Sequence, residues 1–246
     1  MRRRLDTELV RRGLSPSRER ARADIAAGRV TVAGAPAEKA SRLVAPEEPL
    51  RLAGEPPRFV SRGGEKLAAA LDQFDVEVAG RHALDAGAST GGFTDCLLQR
   101  GAAHVVAVDV GRGQLHQRLR VDPRVTVLER TNVRQLSPAD LDGAPFPLVV
   151  ADLSFISLRT VAANLLDLSS PAADLVVLVK PQFEAGRAEA SRGRGVIRDP
   201  EVWERAVEGV AAAFAAEGSD MIDTMRSPLT GADGNVEFLM HLRGRS

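Results

Sequence analysis

Residues 85–93 read Asp-Ala-Gly-Ala-Ser-Thr-Gly-Gly-Phe, after an apolar run suited to a strand and before a helical pattern. A strand that ends in an acid and a glycine-rich turn, then opens a helix, is the unit from which nucleotide-type cofactor sites are built. Glycines allow close backbone approach, and the paired glycines at the helix mouth predict free N–H groups facing a ligand. The spacing Gly87-x-x-x-Gly91-Gly92 is not the G-x-G-x-x-G of dinucleotide binders. Asp85 would also set its charge against a pyrophosphate. An acid there suits a cofactor carrying an ammonium group. Asp109 closes the next strand, His104-Val-Val-Ala-Val-Asp109, 22 positions after Gly87 (109 − 87), near the separation of about 20 at which ribose-binding acids follow. Taken alone, residues 85–93 fit an ordinary strand–turn–helix equally well. With Asp109 added, the cofactor reading leads, and S-adenosylmethionine (SAM) carries the required ammonium.

From Phe59 onward, apolar runs near 82–86, 104–109, 125–128, 147–151 and 174–180 alternate with helical patterns. That alternation predicts an α/β fold, a Rossmann-like doubly wound parallel sheet. A helix is expected from about Pro200 to Glu217. The apolar segments near 221–226 and 235–242 lack a long crossover and predict an antiparallel pair at one edge. Residues 45–58, rich in proline and charge, read as a linker, which divides the chain into 1–58 and 59–246. The glycine- and arginine-rich stretch between Phe183 and Asp199 reads as a surface loop, a lid or a substrate contact.

The 33 basic and 33 acidic residues cancel, but residues 1–32 hold nine arginines and four acids, a balance of +5, leaving −5 on the remaining 214. A basic head on a mildly acidic body suggests that the head meets a polyanion. The lone Cys96 rules out an intramolecular disulfide and reads as a small core residue. His82, His104, His116 and His241 lack ligand spacing, so no metal is expected. No apolar run approaches the roughly 18 residues of a membrane span, and the amino terminus lacks a signal-peptide pattern. The expected compartment is the cytoplasm, with no membrane partner; oligomeric state is not assigned.

In the head, Leu5, Leu9 and Val10 recur at helical spacing up to Gly13. Ser15-Pro16 reads as an N-cap with proline in the first turn, opening a helix to about Ala27 that puts Arg18 and Arg22 on one face. Val30–Val32 reads as a strand and Ala33-Gly34 as its turn. A single arginine is ordinarily just solvated. Arg4, Arg18, Arg20 and Arg22, clustered in a small module with nothing catalytic, read as an RNA-binding set. The pattern Arg4-Leu-Asp, Leu9, Gly13-Leu, Ser17-Arg18, Ala21, Ile25, Gly28-x-Val30-x-Val32-x-Gly34 and Lys39-x-Ser41 resembles the S4 domain. That resemblance implies a small α+β head that binds structured RNA, here through phosphates and shape because aromatics are few.

Val149-Val-Ala-Asp152 and Val176-Val-Leu-Val-Lys180 end strands in charges, and the carboxyl ends of parallel strands form the ligand crevice. A buried salt bridge or a snorkelling lysine is the competing account. Lys66, in Ser61-Arg-Gly-Gly-Glu-Lys66, reads alone as a surface lysine; Glu237, in Asn235-Val-Glu237-Phe, reads alone as a solvent-facing strand residue. Together, Lys66, Asp152, Lys180 and Glu237 resemble the Lys-Asp-Lys-Glu tetrad of FtsJ-like ribose 2′-O-methyltransferases. With the S4-like head, Asp152-Leu-Ser-Phe-Ile156 and Val179-Lys-Pro-Gln-Phe-Glu184, the chain resembles the TlyA family in particular, whose members are cytidine 2′-O-methyltransferases of ribosomal RNA historically labelled hemolysins. The resemblance implies a class I methyltransferase domain, ribosomal RNA or ribosomal subunits as partner, and SAM held by Asp85, Gly87, Ala88, Ser89, Thr90, Gly91, Gly92, Phe93, Asp109 and Asn132. A lysine serves as base for a ribose hydroxyl only if its pKa falls, which burial or a second cation brings about; the resemblance casts Lys180 as that base and Lys66 as the cation. Two other readings stand beside it: a catalytically silent RNA-binding or ribosome-assembly factor, and a membrane-lytic hemolysin.

Overall fold

The computed structural model describes residues 2–26, 28–54, 57–186, 189, 195–231 and 233–245, and the chain divides into two units, Met1–Arg58 and Phe59–Ser246. The first unit runs β1 (Arg3–Arg4), α1 (Leu5–Arg11), α2 (Arg18–Ala26), β2 (Val30–Val32), β3 (Ala35–Pro36), β4 (Leu43–Val44) and β5 (Leu50–Leu52). Leu5 and Leu9, one turn apart on α1, pack with Ala21 and Ile25 of α2 and with Val30, Val32 and Val44. β1 pairs antiparallel with β4, and β2 lies between β3 and β5.

Two local expectations are corrected here. Within the segment read as a linker, Leu50–Leu52 forms a strand on β2 (Val30↔Leu52, Val32↔Leu50); three residues are too few to show periodicity among flanking prolines. Ser17, not Ser15, caps α2: its Oγ accepts from Arg20 N at 3.1 Å. Ser15 is buried and donates to the Ser17 carbonyl, so the helix begins two residues after Pro16.

The second unit runs α3 (Arg62–Gln73), β6 (His82–Ala86), α4 (Gly92–Gln99), β7 (His104–Asp109), α5 (Gln117–Arg120), β8 (Val125–Glu129), β9 (Phe146–Ala151), α6 (Ala162–Asp167), β10 (Ser169–Val179), α7 (Pro181–Glu184), α8 (Pro200–Ala216), β11 (Asp220–Arg226) and β12 (Phe238–Arg243). The strands form one sheet in the order β11-β12-β10-β9-β6-β7-β8. β6 to β10 are parallel; β12 is antiparallel to β10 and β11. The expected antiparallel edge pair is present, with the last strand inserted inside the last but one. Strand alternation sends Ala83, Val105, Leu148 and Val150 to the face covered by Leu67 and Leu71 of α3 and by Cys96 and Leu97 of α4. Leu84, Val106, Val149 and Ala151 go to the face covered by Leu165 of α6 and by Val210 and Phe214 of α8. Helix α8 starts where Asp199 Oδ1 accepts from Glu201 N at 3.0 Å, with Pro200 in the first turn. The chain order reverses between β6 and β9, the switch point at which open α/β sheets bind ligands.

At the opposite end of β10, buried Asp174 receives His241 Nε2 (2.8 Å) and Arg81 Nη1 (2.6 Å), with Arg243 Nη1 at 2.8 Å. Burial would raise this carboxyl, but the His241 and Arg81 bonds and the charge of Arg243 outweigh it and hold it at about 2. This ties the ends of β10 and β12 together. Residues 187, 188 and 190–194 of the stretch expected to be a loop, lid or substrate contact lie outside the described residues.

Candidate active site

Chain order at the switch point sets the site. Asp152 N donates to the Ala86 carbonyl at 3.0 Å, so the residue ending β9 lies against the turn that ends β6. Gly87 sits there at φ +89, and a Cβ on it would meet the Asp152 carbonyl oxygen at 2.6 Å. Glycine is required on both counts. On the other side, Val179 of β10 pairs with Phe238 of β12, so the next residues outward, Lys180 and Glu237, end the ladder opposite one another. Lys66 arrives from α3, whose first turn packs against Phe59 through Gly64, and its ammonium bonds Glu237 Oε2. Lys66, Lys180 and Glu237 are buried, at 7, 9 and 3 % exposure, which excludes the surface positions that the first and last suggest alone.

The tetrad is thus two acid–lysine pairs. Lys66 binds Glu237; Lys180 Nζ lies 2.6 Å from Asp152 Oδ1 and donates to Ser154 Oγ at 2.8 Å. The tetrad resemblance has Asp152 and Glu237 orienting the ammonium groups, and here each carboxylate is paired with one lysine. Side-chain chemistry the sequence reading did not single out completes the rim. Ser154 anchors Lys180, and the Phe183 ring lies under its ammonium, 5.9 Å from Nζ to centroid. Phe155 is 91 % exposed at φ +64, its ring 5.2 Å from that of Phe183. A left-handed phenylalanine this exposed costs energy that its one ring contact, with Phe183, offsets only in part. Its location in the quoted motif Asp152-Leu-Ser-Phe-Ile156 was the available signal.

The residues expected to hold a cofactor divide by placement. Asp109 lies at the end of β7, where its Oδ2 accepts from Ser89 N (2.8 Å) and its Oδ1 from Gly111 N (2.6 Å). Each oxygen keeps a lone pair for a further donor. Asp109, Ala88, Ser89, Gln114 and Leu128 line a small cleft; Gln114 and Leu128 were not foreseen, since they come from a loop and from β8. Thr90 accepts His116 N through its carbonyl. Asn132 caps a short turn, its Oδ1 accepting from Arg134 N at 3.1 Å.

Four residues of that set are placed differently. Gly91 and Gly92 face protein: a Cβ on Gly91 would strike Leu119 at 2.3 Å, and one on Gly92 would strike Ser61 Oγ at 2.2 Å and Gly64 N at 2.9 Å. Phe93 is buried in the core beside Gly63. Gly92 and Phe93 let α3 and α4 close together, and Gly91 makes room for Leu119 of α5. Asp85 is fully buried beneath the loop, its Oδ2 accepting from Thr94 Oγ1 at 2.6 Å and its Oδ1 without a protein partner. It supports the turn from below and does not line the cleft.

Burial, reinforced by Asp152 and Asp109, pushes the Asp85 carboxyl up to about 7 against the Thr94 bond. Its folded value therefore exceeds the unfolded 3.8. Between these values the folded state keeps a proton that the unfolded chain releases, so this stabilising contribution is full below about pH 4 and is lost as pH rises through about 7. Asp85→Asn should flatten the decline in urea-unfolding free energy between pH 5 and pH 8. An unchanged slope would mean that Asp85 stays ionised.

Known proteins resolve what this geometry is. Residues 59–244 match the model of the FtsJ-like methyltransferases, and residues 3–50 that of the S4 domain. The 16S/23S rRNA (cytidine-2′-O)-methyltransferase TlyA of Mycobacterium tuberculosis (strain CDC 1551 / Oshkosh) is 52 % identical over 241 residues, 98 % of this chain and 89 % of that protein. The chain belongs to the TlyA family. The "Putative rRNA methyltransferase YqxC" of Bacillus subtilis (strain 168) is 46 % identical, over 97 % of this chain and 85 % of its own. Among solved structures, the "Putative hemolysin from Streptococcus thermophilus" superposes with a TM-score of 0.81 at 39 % identity, covering 100 % of this chain and 89 % of that one. The TlyA-family chain is accordingly a SAM-dependent methyltransferase, with an α+β head and a class I sheet. The cleft's chemistry fits SAM: an acid with free lone pairs beside a glycine turn, and apolar Ala88, Leu115 and Leu128 around it. No helix of the described residues is long and apolar enough to cross a membrane. Among those residues no group of three or more His, Cys, Asp and Glu could hold a metal ion.

Proposed function

We propose that this chain methylates the ribose 2′-hydroxyl of a cytidine in ribosomal RNA. One observation carries the reading: four side chains separated by up to 171 positions (237 − 66) form two acid–lysine pairs at one end of the sheet, the first buried and the second part-buried, with Asp152 of the second against the Gly87 turn. One relative named an rRNA (cytidine-2′-O)-methyltransferase and one named a putative rRNA methyltransferase match over nearly the whole chain, which supports the same substrate, and an enzyme acting on ribosomal RNA fits the cytoplasm. SAM, when bound, supplies an electrophilic methyl group. In the proposed step Lys180, as the neutral amine held by Asp152 and Ser154, takes the proton of the attacking hydroxyl, while the Lys66–Glu237 pair holds the neighbouring ladder end in position. In-line placement of that oxygen supplies much of the rate. The test is transfer from labelled SAM to unmodified ribosomal RNA, with mapping of the modified ribose. Label on a base would refute the reading, and no transfer would favour a silent assembly factor. The hemolysin label of a solved relative finds no membrane-crossing helix among the described residues here.

Cofactor binding is assigned to Asp109 and to the turn at 87–90. Asp109→Ala is expected to weaken SAM binding by about 1–3 kcal/mol, the cost of unmet hydroxyls in a closed site. Gly87→Val should do at least as much, because its side chain would enter the Asp152 carbonyl. Calorimetry giving wild-type affinity for both would remove this cleft from consideration.

Residues 1–58 are assigned to RNA affinity and residues 59–246 to chemistry. Removing residues 1–58 should leave SAM affinity unchanged while ribosomal RNA binding weakens sharply and its salt dependence becomes shallower. Equal RNA binding and turnover by the shortened protein would overturn this division.

A further inference from the structure

The four arginines of the first unit chosen by residue type are separated by the acids that anchor them. Asp6 of α1 is fully buried, yet its two oxygens accept from three guanidiniums: Arg4 Nε (3.0 Å) and Nη2 (3.1 Å), Arg18 Nη2 (3.2 Å) and Arg22 Nε (3.2 Å). Those side chains come from β1 and from successive turns of α2, and they remain 43, 52 and 57 % exposed. Other arginines of the unit are committed differently. Arg12 bonds Glu8 and spends both Nη groups on the carbonyls of Ala45, Pro46 and Glu48, so it works as a strut. Arg20 lies 3.1 Å from Asp24, an acid it shares with Arg29. The bond from Arg4, opposed by burial and joined by those from Arg18 and Arg22, holds the Asp6 carboxyl well below the usual carboxylate range.

Three cations around one anion leave a net +2 (3 − 1), presented by planar donors whose orientation is already set. A free arginine carries about 2 kcal/mol of rotamer entropy, part of which Asp6 removes before any ligand arrives. Guanidiniums that converge on one carboxylate match a place where phosphates crowd together, as at a tight turn of a folded strand, better than evenly spaced phosphates along an extended one.

We infer that Asp6 is a positioning residue for RNA recognition, presetting Arg4, Arg18 and Arg22 as a single array for the crowded phosphodiesters of folded RNA. The inference rests on the RNA-binding reading of this unit and deepens it. It also runs against bare charge counting, since neutralising Asp6 raises the net charge and would by that measure tighten every RNA.

The test uses the full chain and two RNAs, a folded fragment of unmodified ribosomal RNA and unstructured poly(U). Asp6→Asn should weaken binding to the folded fragment by about tenfold, the loss of charge-assisted bonds, while poly(U) binding stays equal or tightens. KM for the fragment should rise with kcat unchanged at saturating RNA. An unchanged folded-to-poly(U) ratio, or tighter binding to both, would overturn the inference. Because a buried asparagine could unfold the unit, Arg18→Lys and Arg22→Lys provide the second arm: half-exposed, they keep the charge and lose the planar fork. Each should lower the same ratio severalfold without moving the thermal melt, and an unchanged ratio in both would refute the array. If the wild-type protein fails to prefer the folded fragment, the RNA reading of the unit fails; if it does prefer it and the variants match it, the role of Asp6 alone fails.

Discussion

Lys180→Ala is expected to retain SAM and lose methyl transfer, by about two to four orders of magnitude, the range for a positioned acid–base group. Lys180 touches Asp152, Ser154 and the Phe183 ring and lines no part of the cleft that holds Asp109. Its removal should therefore appear in the chemical step and not in cofactor affinity. Lys180→Arg is the sharper variant. It keeps the charge beside Asp152 but cannot surrender a proton at accessible pH, so it should fail as badly. Single-turnover rates with saturating SAM and RNA would check both. Near-wild-type turnover by the arginine variant would reduce position 180 to charge stabilisation and move the base elsewhere.

Glu237→Ala should be the most destabilising substitution in the site. It strands the ammonium of Lys66, 7 % exposed, without its counter-charge, and breaking one side of a buried pair costs about 3–5 kcal/mol. Replacing both partners with apolar residues of similar size, Lys66→Met with Glu237→Leu, should return most of that stability and none of the activity. Urea unfolding of the single and double variants separates the two roles. If the double variant is as unstable as Glu237→Ala, the lost stability does not come from the orphaned charge.

Continuous apolar runs and the glycine turn made the sheet legible, because each core strand buries both faces and cannot disguise its apolar run. Pairing across distance was not legible. Lys66 and Glu237 read alone as surface residues because no local pattern reveals a partner 171 positions away (237 − 66); the family tetrad named them, and the ladder end at Val179 and Phe238 shows why they meet. Gly91, Gly92 and Phe93 were read as ligand contacts because close approach to a cofactor and close approach between helices demand the same residue types. Asp85 was misplaced for a related reason: a strand-end acid is equally legible above or below its turn, and only Thr94 decides which. In the head, residue type identified the arginines but not Asp6 and Asp24, whose burial cannot be read from composition.

The order β10-β12-β11 has a consequence for the chain as it is being made. β12 leaves the ribosome after both β10 and β11, yet it fills the slot between them. Until Phe238–Arg243 emerge, β10 and β11 have no common neighbour, and Leu239, Met240 and Leu242 are missing from the core layers they complete. Glu237 arrives immediately ahead of that strand. A nascent polypeptide therefore shows an open sheet edge, a liability for pairing with other chains, and has no finished tetrad. Catalytic competence is complete only once this strand has joined the sheet, and a ribosome that stalls before Glu237 releases an inert product.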